Sequence, residues 1–238
     1  MIFPFAEPIV LAQTAVLAQD DSSRSLLTYI SRGGPVGLLI ILISFGAIGM
    51  IVAQMLRVRR ERLSPPDLED DLRRFLSEGD VDAAMNRCAS EQRASFLSRV
   101  LGTSLARASR SPFGMLEIRS AVEESGRLEV DRLYRLTDGI GLVASVAPML
   151  GLLGTVIGMV GAFDAIMLAE GPARPDELAG SISQALITTV LGLIVAIPCT
   201  AAYTYLRNRI DHLTTEIGET IDSIIAPLES SGGEAPAS

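Results

Sequence analysis

Six polar side chains lie in stretches that carry no charge: Ser145, Thr155, Ser183, Gln184, Thr188 and Thr189. Hydroxyls and amides both donate and accept hydrogen bonds, so a set of them can pass hydrogen bonds along a water chain; none can store a proton's charge at ordinary pH. For any one serine or threonine the simpler role is a bond back to a carbonyl of its own helix. Gln184 differs, because its amide needs several partners and leaving them unmet in an apolar medium is costly. It is expected to face the protein interior or a hydrated path. Helical spacing turns Gln184 and Thr189 roughly 140° apart, with Thr188 closer to the glutamine's face. Asp164 stands near the end of its stretch, where it can reach water.

Around Thr155 the run "APMLGLLGTVIGMVGAF" gives up most of its side-chain volume. On a helix, Ala147, Gly151, Gly154, Gly158, Gly161 and Ala165 form one stripe of small residues. In lipid there is little hydrophobic drive between helices, and close backbone approach is the usual source of association energy. The stripe is therefore read as a helix-packing surface. Ala185, Gly192 and Ala196 repeat the device more loosely near Thr188 and Thr189. Two outcomes stay open: a tight hairpin within one subunit, or packing between subunits around an axis.

The elements that must position these residues follow from three uncharged runs, Gly33 to Leu56, Gly139 to Phe163 and Leu178 to Leu206. Each exceeds the roughly 20 residues needed to cross about 30 Å of hydrocarbon. With 48% hydrophobic residues in 238, the chain reads as an all-α membrane protein with three transmembrane helices and long cytoplasmic helical extensions. The expected organisation is a leader (1–32), a first span (33–56), a cytoplasmic helical domain (57–138), a second span (139–168), an extracytoplasmic loop (169–180), a third span (181–206), and a cytoplasmic helix with a disordered tail (207–238).

Arginines set the orientation, because short loops rich in them stay cytoplasmic. "RVRRER" follows the first span, Arg127, Arg132 and Arg135 precede the second, and Arg207 and Arg209 follow the third. The N-terminus is thus expected outside and the C-terminus inside. In the leader, Ile9 to Ala18 is a short apolar stretch ending in "VLA"; it lacks the basic start of a signal peptide, so residues 1–31 are read as a flexible or membrane-surface leader, with signal-peptide cleavage as the alternative.

The polar segments read as helices. "SPPDLEDDLRRFLSEGD" starts on proline and acids, stops at Gly79 and places Leu68, Leu72, Phe75 and Leu76 on one face. Asp80 caps a second helix, and a third runs from about Ala94 to Ser109. Ser111 and Pro112 form a cap and first-turn pair opening one long helix into the second span. The third span is expected to project inward through Leu206, Ile210, Leu213, Ile217, Ile221 and Ile224 and to stop near Pro227, with "SSGGEAPAS" disordered.

The net charge of −8 is spread without a basic block that would suit nucleic acid. Every basic side chain except His212 is arginine. Cys88 and Cys199 are read as packing residues. One histidine, no nucleophile-base pair, no metal-ligand spacing and no phosphate-binding loop argue against an enzyme, and no cofactor or metal is expected.

At "LVASVAPMLGLLGTVIGMVGAF" and "GSISQALITTVLGLIVAIPCTAAYTYL" the chain resembles the ExbB/TolQ family of inner-membrane proton-channel subunits, more distantly related to the stator protein MotA. The likeness runs from about Pro35 onward. It implies a pentamer surrounding the single-span helices of an ExbD/TolR-like partner, with a TonB/TolA-like energy transducer as a further partner. Together they would convert proton-motive force into work across the envelope. By that resemblance Thr155 and Thr189 match threonines of the proton pathway, whereas Gln184 stands where well-known members carry glutamate. An ionisable group in a membrane is functional by default, and none lies in the central stretches here. The protonatable group must then come from another chain. The transmembrane potential supplies about 2.3 kcal/mol per proton per 100 mV, so work requires repeated transfers. A MotA-like stator is the nearest alternative, but that type has four spans and three are found. A non-conducting scaffold is the alternative from a different class.

Overall fold

A computed structural model describes residues 34–91, 94–111, 117–169 and 175–232. Among them are seven helices: α1 (Gly34–Arg57), α2 (Arg60–Leu63), α3 (Pro66–Ser77), α4 (Val81–Ala89), α5 (Phe96–Ala108), α6 (Ile118–Met167) and α7 (Pro175–Gly232). No strand occurs among the described residues. The leader 1–32, Pro112 and the tail residues 233–238 lie outside them.

Three helices, α1, α6 and α7, are long and apolar enough to cross a membrane. Only 17%, 28% and 33% of their most apolar windows are buried within the chain, which leaves most of that surface for lipid or other chains. The chain is a multi-pass, all-α membrane protein.

By contacts the chain divides into two units. The first combines residues 34–47 with 142–169 and 175–199; the second combines 48–91, 94–111 and 117–141 with 200–232.

In the second unit a water-type core assembles. Leu68, Leu72 and Leu76 of α3, Leu97, Leu101 and Leu105 of α5, and Ile210, Leu213, Ile217, Ile221 and Ile224 of α7 join one buried cluster. Each set recurs every three or four residues, so one face of each helix leaves water. Gly79 ends the α3 turn at φ +77, a conformation that side chains disfavour. The Asp80 carboxylate then accepts the Ala83 N–H at 2.8 Å and starts α4, and the Ser95 hydroxyl accepts the Ser98 N–H at 3.1 Å and starts α5.

Here α6 and α7 are tied by polar contacts as well. The Tyr134 hydroxyl donates to Asp211, and the Arg207 guanidinium lies 4.4 Å over the Tyr134 ring while donating to the Tyr203 hydroxyl at 2.7 Å. Arg60 joins Glu69 and Glu216. Burial pushes the Glu69 carboxyl up, but hydrogen bonds from Arg60 and Ser64 outweigh it and hold the group below its ordinary range. Cys88 is buried and free, and burial pushes its thiol to about 11, leaving it a packing residue.

Two boundaries differ from expectation. Helix α7 begins at Pro175, inside the stretch read as loop: proline suits the first helical turn, and Asp176 follows where the helix dipole favours acid. It also does not stop near Pro227 but continues to Gly232, taking in the first residues of the supposed disordered tail. Ile224, Ile225 and Leu228 are all buried, so packing sustains the helix past the one backbone donor that proline lacks.

Candidate functional site: a threonine cluster on a small-residue hairpin

In the first unit the stretch of α6 from Ala147 to Gly158 lies against α7. A Cβ added at Gly151 would come 3.0 Å from the Thr189 Cα, one at Gly158 would come 2.6 Å from the Ala185 Cβ and 2.9 Å from the Ser181 carbonyl, and one at Gly154 would overlap the Thr188 side chain. From the opposite side, a Cβ at Gly192 would come 2.6 Å from the Ala147 carbonyl. Contacts this short exclude side chains, which is why the sequence omits them. The closeness ends at Gly161, where a Cβ would make ordinary contact with Ser181 Oγ at 3.9 Å.

Close approach gathers the threonines. Thr189 donates its hydroxyl to the Gly151 carbonyl of α6 at 3.1 Å. Thr188, buried, donates to the Ala185 carbonyl of its own helix at 2.7 Å and lies 3.4 Å from the same Gly151 oxygen. Thr155 donates to the next carbonyl along, Leu152, at 2.6 Å. Two hydroxyls, of Thr189 and Thr155, thus end on two successive peptide carbonyls of α6, with the Thr188 hydroxyl beside them. Thr155 and Thr189 stay half-exposed in the single chain, so the cluster has an open side. Such an edge can hydrogen-bond water or another chain; it cannot hold charge.

Gln184 is not in this cluster. Its amide packs at the start of α1, against Gly34, whose φ of +60 and missing side chain admit it. One turn further in, a Cβ at Gly37 would touch Leu191 at 3.6 Å. The Gln184 face of α7 is therefore turned to α1 and the Thr189 face to α6. Ser183 and Asp164 are exposed, and Ser145 is exposed on α6.

The sequence reading passed over Gln54. It is 6% exposed, and its amide donates to the Leu136 carbonyl at 2.7 Å while its own Oε1 finds no donor among the described residues. The available signal was an amide inside the first uncharged run, the criterion that singled out Gln184.

A three-span membrane protein whose last two spans form a small-residue hairpin with a threonine cluster at its closest point is the class defined by fold and site. The chain matches the MotA/TolQ/ExbB proton channel family over residues 85–219, more than half its length, and belongs to that family. It is 37% identical over 109 residues to the Tol-Pal system protein TolQ of Haemophilus influenzae, covering 45% of this chain and 47% of that one. It is 40% identical over 128 residues to the biopolymer transport protein ExbB of Xanthomonas campestris pv. campestris, covering 52% and 46%. It is 32% identical over 97 residues to the biopolymer transport protein exbB1 of Vibrio cholerae, covering 41% and 42%. The matches thus span less than half the length of each of these relatives.

Proposed function

We propose that the chain is an inner-membrane proton-channel subunit that, with an ExbD/TolR-like single-span partner, harnesses proton-motive force to energise transport or envelope processes. It works as a homo-oligomer, a pentamer by family likeness, with its N-terminus outside and its C-terminus cytoplasmic. The observation that carries this reading is the hydroxyl cluster of Thr155, Thr188 and Thr189, with Thr155 and Thr189 half-exposed on the Leu152 and Gly151 carbonyls and Thr188 buried beside them, within the segment that matches a proton-channel family.

In this scheme the threonines bind and orient water along the hairpin's open edge. Gln184 serves the contact with α1 and carries no proton. The titrating group is supplied by the partner, since these spans offer hydroxyls and amides alone at their centres. The same lack of a central carboxylate favours the second reading, a non-conducting scaffold.

Liposomes separate the two under an imposed pH gradient and potential. The isolated oligomer should leak little, and the complex with its single-span partner should conduct more. Changing the partner's membrane aspartate to asparagine should remove the increase with the complex still assembled. A selective proton current from this chain alone would overturn the division of labour; no current from the intact complex would favour the scaffold.

A further inference from the structure

The second unit carries an arginine surface that the threonine cluster does not explain. Arg57 closes α1, Arg59 precedes the short α2 and Arg62 lies within it, Arg135 lies on α6 and Arg209 on α7; all five are exposed. No carboxylate among the described residues pairs with any of them. Among the described residues, Arg135 donates to the Asp131 carbonyl at 3.4 Å. Elsewhere in the same unit Arg60, Arg87, Arg99 and Arg107 are each paired with acid.

Contacts within this unit place Arg57, Arg135 and Arg209 at one level. Gln54 of α1 bonds the Leu136 carbonyl of α6, so Arg57, three residues on, and Arg135, one residue back, lie within about a helical turn. Gly141 of α6 faces the Tyr203 ring of α7, where a Cβ would sit 3.0 Å away. Counting six residues from that pair along each antiparallel helix reaches Arg135 and Arg209. Above this level the exposed side chains of α1 turn apolar, with Val52, Met55 and Leu56, and Tyr205 is exposed on α7, while α6 keeps one exposed acid, Asp138. Glu61 is the one acid in the Arg57–Arg62 turn and leaves it net positive.

Unpaired guanidiniums directly beneath an exposed apolar band match the phosphate layer beneath the acyl chains of a lipid leaflet. Guanidinium also bonds phosphate oxygens bidentately, which a neutral surface could not do. We infer that Arg57, Arg135 and Arg209, with Arg59 and Arg62 just after α1, form a binding surface for anionic phospholipid headgroups. Arg207 is outside it, being held between Tyr134 and Tyr203.

Native mass spectrometry of the full-length chain tests this, using detergent micelles doped equally with dioleoyl phosphatidylglycerol and dioleoyl phosphatidylcholine. The wild type should retain phosphatidylglycerol in preference. Arg57→Gln, Arg59→Gln and Arg62→Gln combined should abolish that preference, at roughly five-fold per arginine in low salt, and the matching lysine triple should restore most of it. If the triple variant melts early, the single variants Arg62→Gln and Arg209→Gln each carry the test with a smaller loss. Equal retention of the two lipids by the wild type would overturn the inference, as would an unchanged preference in the glutamine variants. Displacement of the lipid by millimolar inorganic phosphate would also overturn it, assigning the surface to free anions.

Discussion

Between Ala147 and Gly158 helix α6 meets α7 through backbone and single methyl groups, whereas between Ile118 and Leu133 the same helix packs into a cluster of α7 isoleucines and leucines. The two regions use opposite means because their solvents differ. In water, burying a large apolar side chain is favourable by about 1.5–3 kcal/mol, so big side chains are the natural packing material. In lipid that gain vanishes, and what remains is dispersion and hydrogen bonding at short range, which grow as side chains are removed. Glycine separates the two cases. In the hairpin, Gly151, Gly154, Gly158 and Gly192 are places where an added carbon would collide; in the bundle, Gly126 and Gly218 have nothing within 4 Å of an added Cβ.

The largest expected effect breaks the hairpin side of that comparison. Gly158→Leu forces a branched side chain into the Ser181 carbonyl and Ala185, where backbone cannot yield cheaply. Extra methylenes in a packed core cost about 1–3 kcal/mol and occasionally more. Here the first added carbon already meets backbone at 2.9 Å and the Ala185 methyl at 2.6 Å, so a whole leucine side chain should go well beyond that range and separate the helices. Thermal melting of the detergent-purified chain should fall sharply, and Gly158→Ala should fall less. A melting curve like the wild type's in Gly158→Leu would show that α6 and α7 do not pack at this register.

Next in size is the bundle side. Leu101 is fully buried in α5, and Leu101→Ala should cost about 2–5 kcal/mol through lost burial and the cavity left behind. Chemical unfolding followed by helix signal should show it. Leu152, 64% exposed in the hairpin region, offers the contrast: Leu152→Ala should change stability little in a single chain, and a large loss would place that face against another subunit.

A smaller effect has the opposite sign. Gly126→Ala lies mid-helix with open space around it, so replacing glycine should stabilise by roughly 0.5–1 kcal/mol through helix propensity. The same change at Gly151 should destabilise, because its Cβ would meet the Thr189 backbone at 3.0 Å. Like signs from the two variants would remove the distinction drawn between the glycines.

Much of this could be read in the chain itself. The three apolar helices, the buried faces of α3, α5 and α7, and the Asp80 cap follow from composition, 3.6-residue periodicity and capping chemistry, all local properties. What could not be read depends on which partner a face meets. The small-residue stripe left hairpin and intersubunit packing equally open, since both need the same residues; only the proximity of Gly151 to Thr189 shows α7 occupying it. Gln184 demanded a buried partner, yet nothing in its spacing pointed to the start of α1. The end of α7 was misjudged because Pro227 is a local stop signal, while the burial of Leu228 that carries the helix past it is tertiary.

The smallest expected effect concerns pH and belongs to the bundle, where ion pairs exist to titrate. Glu69 is held below its ordinary range in the folded chain by hydrogen bonds from Arg60 and Ser64, against the opposing push of burial. A carboxyl whose folded value is depressed contributes stability above its unfolded value, near 4.3, and loses that contribution as pH falls through the folded value. Acidification below the ordinary carboxylate range should therefore lower the melting temperature, and Glu69→Gln should flatten that slope. Arg60 also reaches Glu216 at 2.9 Å, so part of the interaction survives in the variant and the flattening should be partial. The pairs are partly solvated, which keeps the magnitude small and makes it shrink further in high salt. An acid limb identical in wild type and Glu69→Gln would show that the contacts of Glu69 with Arg60 and Ser64 add nothing to the stability of the fold.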